Sequence, residues 1–237
     1  MRQSVFITIV LIAAIVISAI IFYTLLPDFI RQGGPLVVLL MTLSIMEITF
    51  ILERLFSLNK AKGNGSLLDF IAELNKKLQQ RDVEGALTLC HNQQGSVANV
   101  LRAALERFRQ ISRENLTSDR QVSELQRVLE DATSLETPLL ERNLIALSTI
   151  ASISTMVGLL GTVIGMIRSF RAMAHAGAPD AIQLAIGISE ALINTAGGLF
   201  AAITAIVAYS FFTNKVDNFT YEIEEAGHRL VRHLTGT

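Results

Sequence analysis

Three polar residues in the second half of the chain could handle a proton. Glu190 sits inside an apolar run from Leu184 to Phe212. An ionisable group at that depth in hydrocarbon is costly unless it is protonated, paired or hydrated, so it calls for proton movement or for a partner on a neighbouring helix. Thr162 and Thr195 add hydroxyls, which both donate and accept and can therefore serve as stations for a proton. Around Thr162, a run from Leu144 to Ile167 carries Ser148, Ser152, Thr155, Gly158 and Gly165 at spacings of three and four, with Gly161 alongside. Around Glu190 lie Gly187, Asn194, Gly197, Gly198, Ala201 and Ala205 in a comparable pattern, with Thr195 beside Asn194. Such spacings put residues on one helical face. That face has two possible uses, close packing of helices in lipid or a polar lining for a proton path. Glu47, in an earlier apolar run, raises the same question, but it lies nearer Glu53 and Arg54, where snorkelling or pairing is the expected outcome.

Other reactive side chains lead nowhere. Cys90 is the single cysteine, so no intrachain disulfide forms, and beside His91 it reads as a reduced thiol on a helix. His228 and His233 are five apart and point to different sides of a helix, while His175 stands alone in a loop, so no metal site is expected. The chain has no nucleophile elbow, no phosphate-cradling glycine loop and no HExxH helix, and an enzyme is not expected. A net charge of -1 offers no basic surface for nucleic acid.

The elements that must position these residues are membrane helices. Apolar residues make up 51% of the 237, charged residues only 17%, and mean hydropathy is +0.46. Aliphatic rather than aromatic side chains dominate, which favours helices over a barrel. Four apolar runs reach the ~20 residues a spanning helix needs: Val5 to Leu26, Pro35 to Phe56, Leu144 to Ile167 and Leu184 to Phe212. The first is longer than the core of a signal peptide and lacks a convincing cleavage site, so a retained, crossing helix is expected. Of the 20 lysines and arginines, 13 fall between Arg54 and Arg142. Cationic loops stay on the cytoplasmic side, which puts both chain ends inside. The external turns are then Pro27 to Pro35 and Ala176 to Ala181. The expectation is an all-α polytopic membrane protein whose long transmembrane helices extend into a cytoplasmic helical bundle. Its segments are an N-terminal helix and turn (1–34), a span (35–56), a cytoplasmic helical region (57–143), a span (144–175), a periplasmic loop (176–181), a span (182–214) and a cytoplasmic C-terminal helix (215–237). Leu125, Val128, Leu129, Ala132 and Leu135 keep helical spacing, which predicts one long helix from near Thr117 through Pro138 into the third span, kinked at the proline.

Two segments carry a resemblance. GLLGTVIGMIRSF (Gly158 to Phe170) and GISEALINTAGGLFAAI (Gly187 to Ile203) look like the two signature membrane helices of the ExbB/TolQ branch of the MotA/TolQ/ExbB proton-channel family, and ILERLFSL resembles its cytoplasmic exit. The likeness covers roughly residues 35 to 215. It implies pore-facing hydroxyls at Thr162 and Thr195 and a membrane glutamate at Glu190. It further implies a homo-oligomer, usually a pentamer, around an ExbD/TolR-like single-span partner that supplies a membrane aspartate, driving a TonB- or TolA-like protein in the bacterial inner membrane. The coupling ion would be the proton, with no other cofactor. The last two spans hold no aspartate, in keeping with a carboxylate supplied from elsewhere. Two departures stand out, since Thr155 and Thr204 occupy positions where relatives often carry proline. The competing reading outside this class is a scaffold whose small-residue helices assemble without ion flow.

Overall fold

A computed structural model describes residues 2–112, 117–174 and 181–235, and these divide into two compact units. Among the described residues there are nine helices and no strand. The first unit comprises residues 1–53 and 143–211, the second 54–142 and 212–237.

The first unit holds α1 (Arg2–Thr24), the short α2 (Asp28–Arg31), most of α3 (Pro35–Ala61), α8 (Leu144–Ala174) and the N-terminal part of α9 (Ala181–Thr235). Among the described residues, four helices are long and apolar enough to cross a membrane. In α1 the apolar side chains point all round, and Ala14 and Ser18 are its buried positions. Ser18 meets Thr42 of α3 hydroxyl to hydroxyl at 2.7 Å, both buried. Arg31 folds back onto the end of α1, its Nε donating to the Phe22 carbonyl at 3.0 Å and its Nη2 to that of Tyr23 at 2.5 Å. Those carbonyls have no helical partner of their own, so a cation there satisfies them and suits the helix dipole. The external loop expected at 176–181 lies, apart from Ala181, outside the described residues, as does His175.

The second unit packs the amphipathic helices α4 (Leu67–Gln79), α5 (Val83–Gln93), α6 (Gly95–Ile111) and α7 (Ser118–Glu141) with the C-terminal part of α9. Leu67, Phe70, Leu74 and Leu78 bury one stripe of α4, and Val97, Leu101, Ala104 and Leu105 bury one of α6. Ser66 and Asp82 cap α4 and α5 by accepting the Asp69 and Gly85 amides. Arg54 is fully buried and donates to the Leu140 carbonyl at 3.1 Å, in the last turn of α7.

One expectation changes. The helix runs on through Pro138 and stops at Glu141, and α8 starts at Leu144. Asn143 takes a left-handed φ of 61°, which asparagine tolerates better than most residues, so the helical path is interrupted there rather than at the proline. Its amide nitrogen donates to Glu53 at 3.1 Å.

Cys90 is buried in α5, and desolvation pushes its thiol up to about 12. A maleimide at pH 8 should therefore leave the native protein unlabelled and modify it once denatured; rapid native labelling would show the helix open at that point.

Candidate functional site: the α8–α9 helix pair

The contact between α8 and α9 is made by backbone. A methyl group added at Gly198 would lie 2.6 Å from the Ser154 carbonyl and 2.7 Å from the Gly158 Cα; one at Gly165 would lie 2.6 Å from the Gly187 carbonyl and 2.8 Å from Ala191. Gly161 faces the Asn194 side chain just as closely, and Gly187 faces Ser169. Glycine is required at Gly165 and Gly198 because the opposing atoms are mostly main chain and cannot move aside, whereas Gly161 makes room for the Asn194 side chain. Gly197 differs from its neighbour, since a methyl there would touch the end of Leu40 at an ordinary 3.4 Å.

This close approach brings polar groups together at the α2–α3 turn. Glu190 is buried, with 5% of its side chain exposed, and forms a salt bridge with Arg168 of α8, which is 55% exposed; one guanidinium nitrogen reaches both carboxylate oxygens, at 2.6 and 2.5 Å. Gly34, at φ +71°, sits beside the carboxylate, and a Cβ there would lie 2.9 Å from it. Asn194, wholly buried, donates to the Gly33 carbonyl at 2.8 Å, while its own carbonyl oxygen has no protein partner. Ser189 donates to Gln32 at 3.3 Å, and Ser169 to the Leu184 carbonyl at 3.1 Å.

The two threonines behave differently. Thr195 is half-buried and donates across the pair to the Gly158 carbonyl at 3.1 Å. Thr162 is half-buried and bonds back to Leu159 of its own helix at 2.6 Å, which leaves its oxygen able to accept. The small-residue stripe also divides. Gly158, Gly161 and Gly165 are buried against α9, joined by Ser154 and Ser169, whereas Ser152 is exposed and Thr155 half-buried, each bonded to its own helix. Glu47 is buried, not snorkelling, in α3.

Three groups drawn in by the structure were not singled out as site residues from sequence: Arg168, the Gly33–Gly34 turn and the serines Ser154 and Ser169.

The family model described as the MotA/TolQ/ExbB proton channel family matches residues 92–225, more than half of the chain. The Tol-Pal system protein TolQ of Pseudomonas aeruginosa is 36% identical over 143 residues, 57% of this chain and 62% of that protein. An ExbB-like protein of Synechocystis is 32% identical over 184 residues, 76% of this chain and 81% of its own length. The biopolymer transport protein ExbB of Salmonella typhimurium is 44% identical over 73 residues, 31% of this chain and 30% of that protein. The chain thus spans about three fifths of TolQ and a larger share of the Synechocystis relative, and the matched segment contains both α8 and the membrane part of α9. On these grounds the chain belongs to the MotA/TolQ/ExbB proton channel family.

Proposed function

We propose that this protein is the homo-oligomeric ring subunit of a proton-driven motor in a bacterial inner membrane. It works with an ExbD/TolR-like single-span protein carrying a membrane aspartate and energises a TonB- or TolA-like protein. The observation that carries the reading is that Glu190, buried inside the last apolar helix, is held in a salt bridge by Arg168. A buried carboxylate held by a guanidinium is poorly suited to take and release protons in turn. The group that does so is then the partner's, and Thr162, whose hydroxyl bonds only its own helix, is the station on this chain that such a carboxylate can reach. Thr195 contributes a hydroxyl that also holds the helix pair together. Asn194, Ser152 and Thr155 line or support the path, and the glycines bring the two helices close enough to form it.

Relatives named ExbB and TolQ both match, so the partner and the cargo are to be read from complementation. Restored energy-dependent uptake in a strain lacking its ExbB-like subunit points to the first system; restored envelope integrity in one lacking TolQ points to the second.

Thr162→Val keeps shape and removes the hydroxyl. It should lower proton-driven function at least about tenfold while assembly, followed by native mass spectrometry, stays intact. Normal function in that variant would remove Thr162 from the path. Thr195→Val should lower both function and thermal stability, and Thr195→Ser should recover both.

Arg168→Ala strands a buried carboxylate. The expected loss is about 2 kcal/mol, below the ~3–5 of a fully buried pair because Arg168 is half exposed. Adding Glu190→Gln should recover most of it. If Glu190→Gln alone abolishes proton-driven function in a complex of unchanged stability, Glu190 itself carries protons and the role assigned here to the ion pair is wrong.

Gly198→Val and Gly197→Ala test the packing. The first should cost more than the ~1–3 kcal/mol of ordinary overpacking and separate the helices, and the second should change stability by less than about 1 kcal/mol. Equal effects would contradict the backbone contact.

A further inference from the structure

Within the second unit, a cleft of about 370 Å³ opens between the end of α3, the first turn of α4 and α9. Its walls carry Asn59 from α3, Lys62 just past its end, Ser66 at the α4 N-cap, and Lys215, Asn218 and Glu222 from α9. Sequence sets its depth. Asn59 and Lys62 come three and six residues after Phe56, where the second apolar run ends, and Lys215 comes three after Phe212, where the fourth ends. At 1.5 Å per helical residue these groups fall within about 10 Å of the hydrocarbon edge, the layer occupied by lipid headgroups.

Charge and exposure point the same way. Two ammonium groups and three neutral polar side chains face one carboxyl. Burial pushes that Glu222 carboxyl above its ordinary range, while Lys62 opposes the shift and Glu225 adds to it. The cleft also has an apolar lip: Leu68 lines it and is 78% exposed. On α3, Leu55 shares a stripe with Asn59, and Lys62 follows directly after the helix, so the chain passes from apolar to polar to cationic as it leaves the apolar run. An inorganic anion would engage the lysines alone and leave Leu68 in water. A ligand with a phosphate joined to an acyl glycerol engages both.

We infer that this cleft binds the headgroup of an anionic phospholipid, with Lys62 and Lys215 on the phosphate, the polar side chains on the glycerol oxygens, and Leu68 against the acyl region. Attraction to an anionic headgroup corresponds to about a five-fold gain in affinity per lysine, or roughly 25-fold for two, and is screened by salt.

The test uses the full chain, purified in detergent and stripped of lipid, titrated with phosphatidylglycerol or phosphatidylcholine and read by native mass spectrometry. Phosphatidylglycerol should be retained over phosphatidylcholine. The double variant Lys62→Gln/Lys215→Gln should bind it roughly 25-fold more weakly, and the Lys62→Arg/Lys215→Arg variant should bind it as the parent does. Leu68→Ser should weaken the lipid and leave any binding of glycerol 3-phosphate unchanged. Equal retention of the two lipids by the parent chain overturns the assignment, as does unweakened phosphatidylglycerol binding by a folded glutamine variant. Competition by glycerol 3-phosphate at the concentration at which phosphatidylglycerol binds would make the site one for a free phosphate, and would also overturn it. If the glutamine variant does not fold, the lipid comparison on the parent and the Leu68→Ser variant decide.

Discussion

Where two helices touch backbone to backbone in lipid, side chains cannot fill the gap and every polar group near it must find its partner inside the protein. The contact of α8 with α9 is of this kind, with Gly158, Gly161 and Gly165 on one side and Gly187 and Gly198 on the other. No hydrophobic force separates such helices from the surrounding acyl chains, so the association depends on dispersion at short range and on hydrogen bonds that water cannot compete for. The bonds of Thr195 to Gly158, Ser169 to Leu184 and Glu190 to Arg168 all span this pair. The short interhelical distance allows each of them. The glycines that permit it are therefore part of the site although they carry no chemistry.

Polar groups in the first unit are then distributed by how well they are matched. The Glu190 carboxylate has Arg168, and the Asn194 amide nitrogen has the Gly33 carbonyl. The Asn194 carbonyl oxygen and the Ser154 hydroxyl have no protein partner while wholly buried, a condition that costs free energy unless water fills it.

Much of this was legible from the residues. The four apolar runs, the polar content of the last two and the improbability of Glu190 come from hydropathy and the cost of charge in hydrocarbon, which do not depend on tertiary detail. The division of the stripe was less accessible. Spacings of three and four turn by 300° and 400°, so over five or six steps a face drifts. Ser148 and Ser152 sit at one edge of it, while Ser154 and Ser169, absent from the original series, fall on the buried side with the glycines. The Arg168 partnership depends on which turn of α8 meets which turn of α9, and that register is a tertiary property that hydropathy does not carry. Pro138 attracted the expected kink because its effect on a helix is local and known; the actual interruption at Asn143 comes with a left-handed φ that sequence does not announce. The cleft at Lys62 and Lys215 joins residues 153 positions apart and could be found only in three dimensions.

The central claim is that this chain supplies a path and a partner supplies the titrating carboxylate. Proton flux into liposomes under an imposed pH gradient tests it most directly, measured with the chain alone, with its single-span partner, and with that partner's membrane aspartate changed to asparagine. The account predicts flux only for the pair with an intact aspartate. Flux through the chain alone that survives Thr162→Val and stops with Glu190→Gln would contradict it.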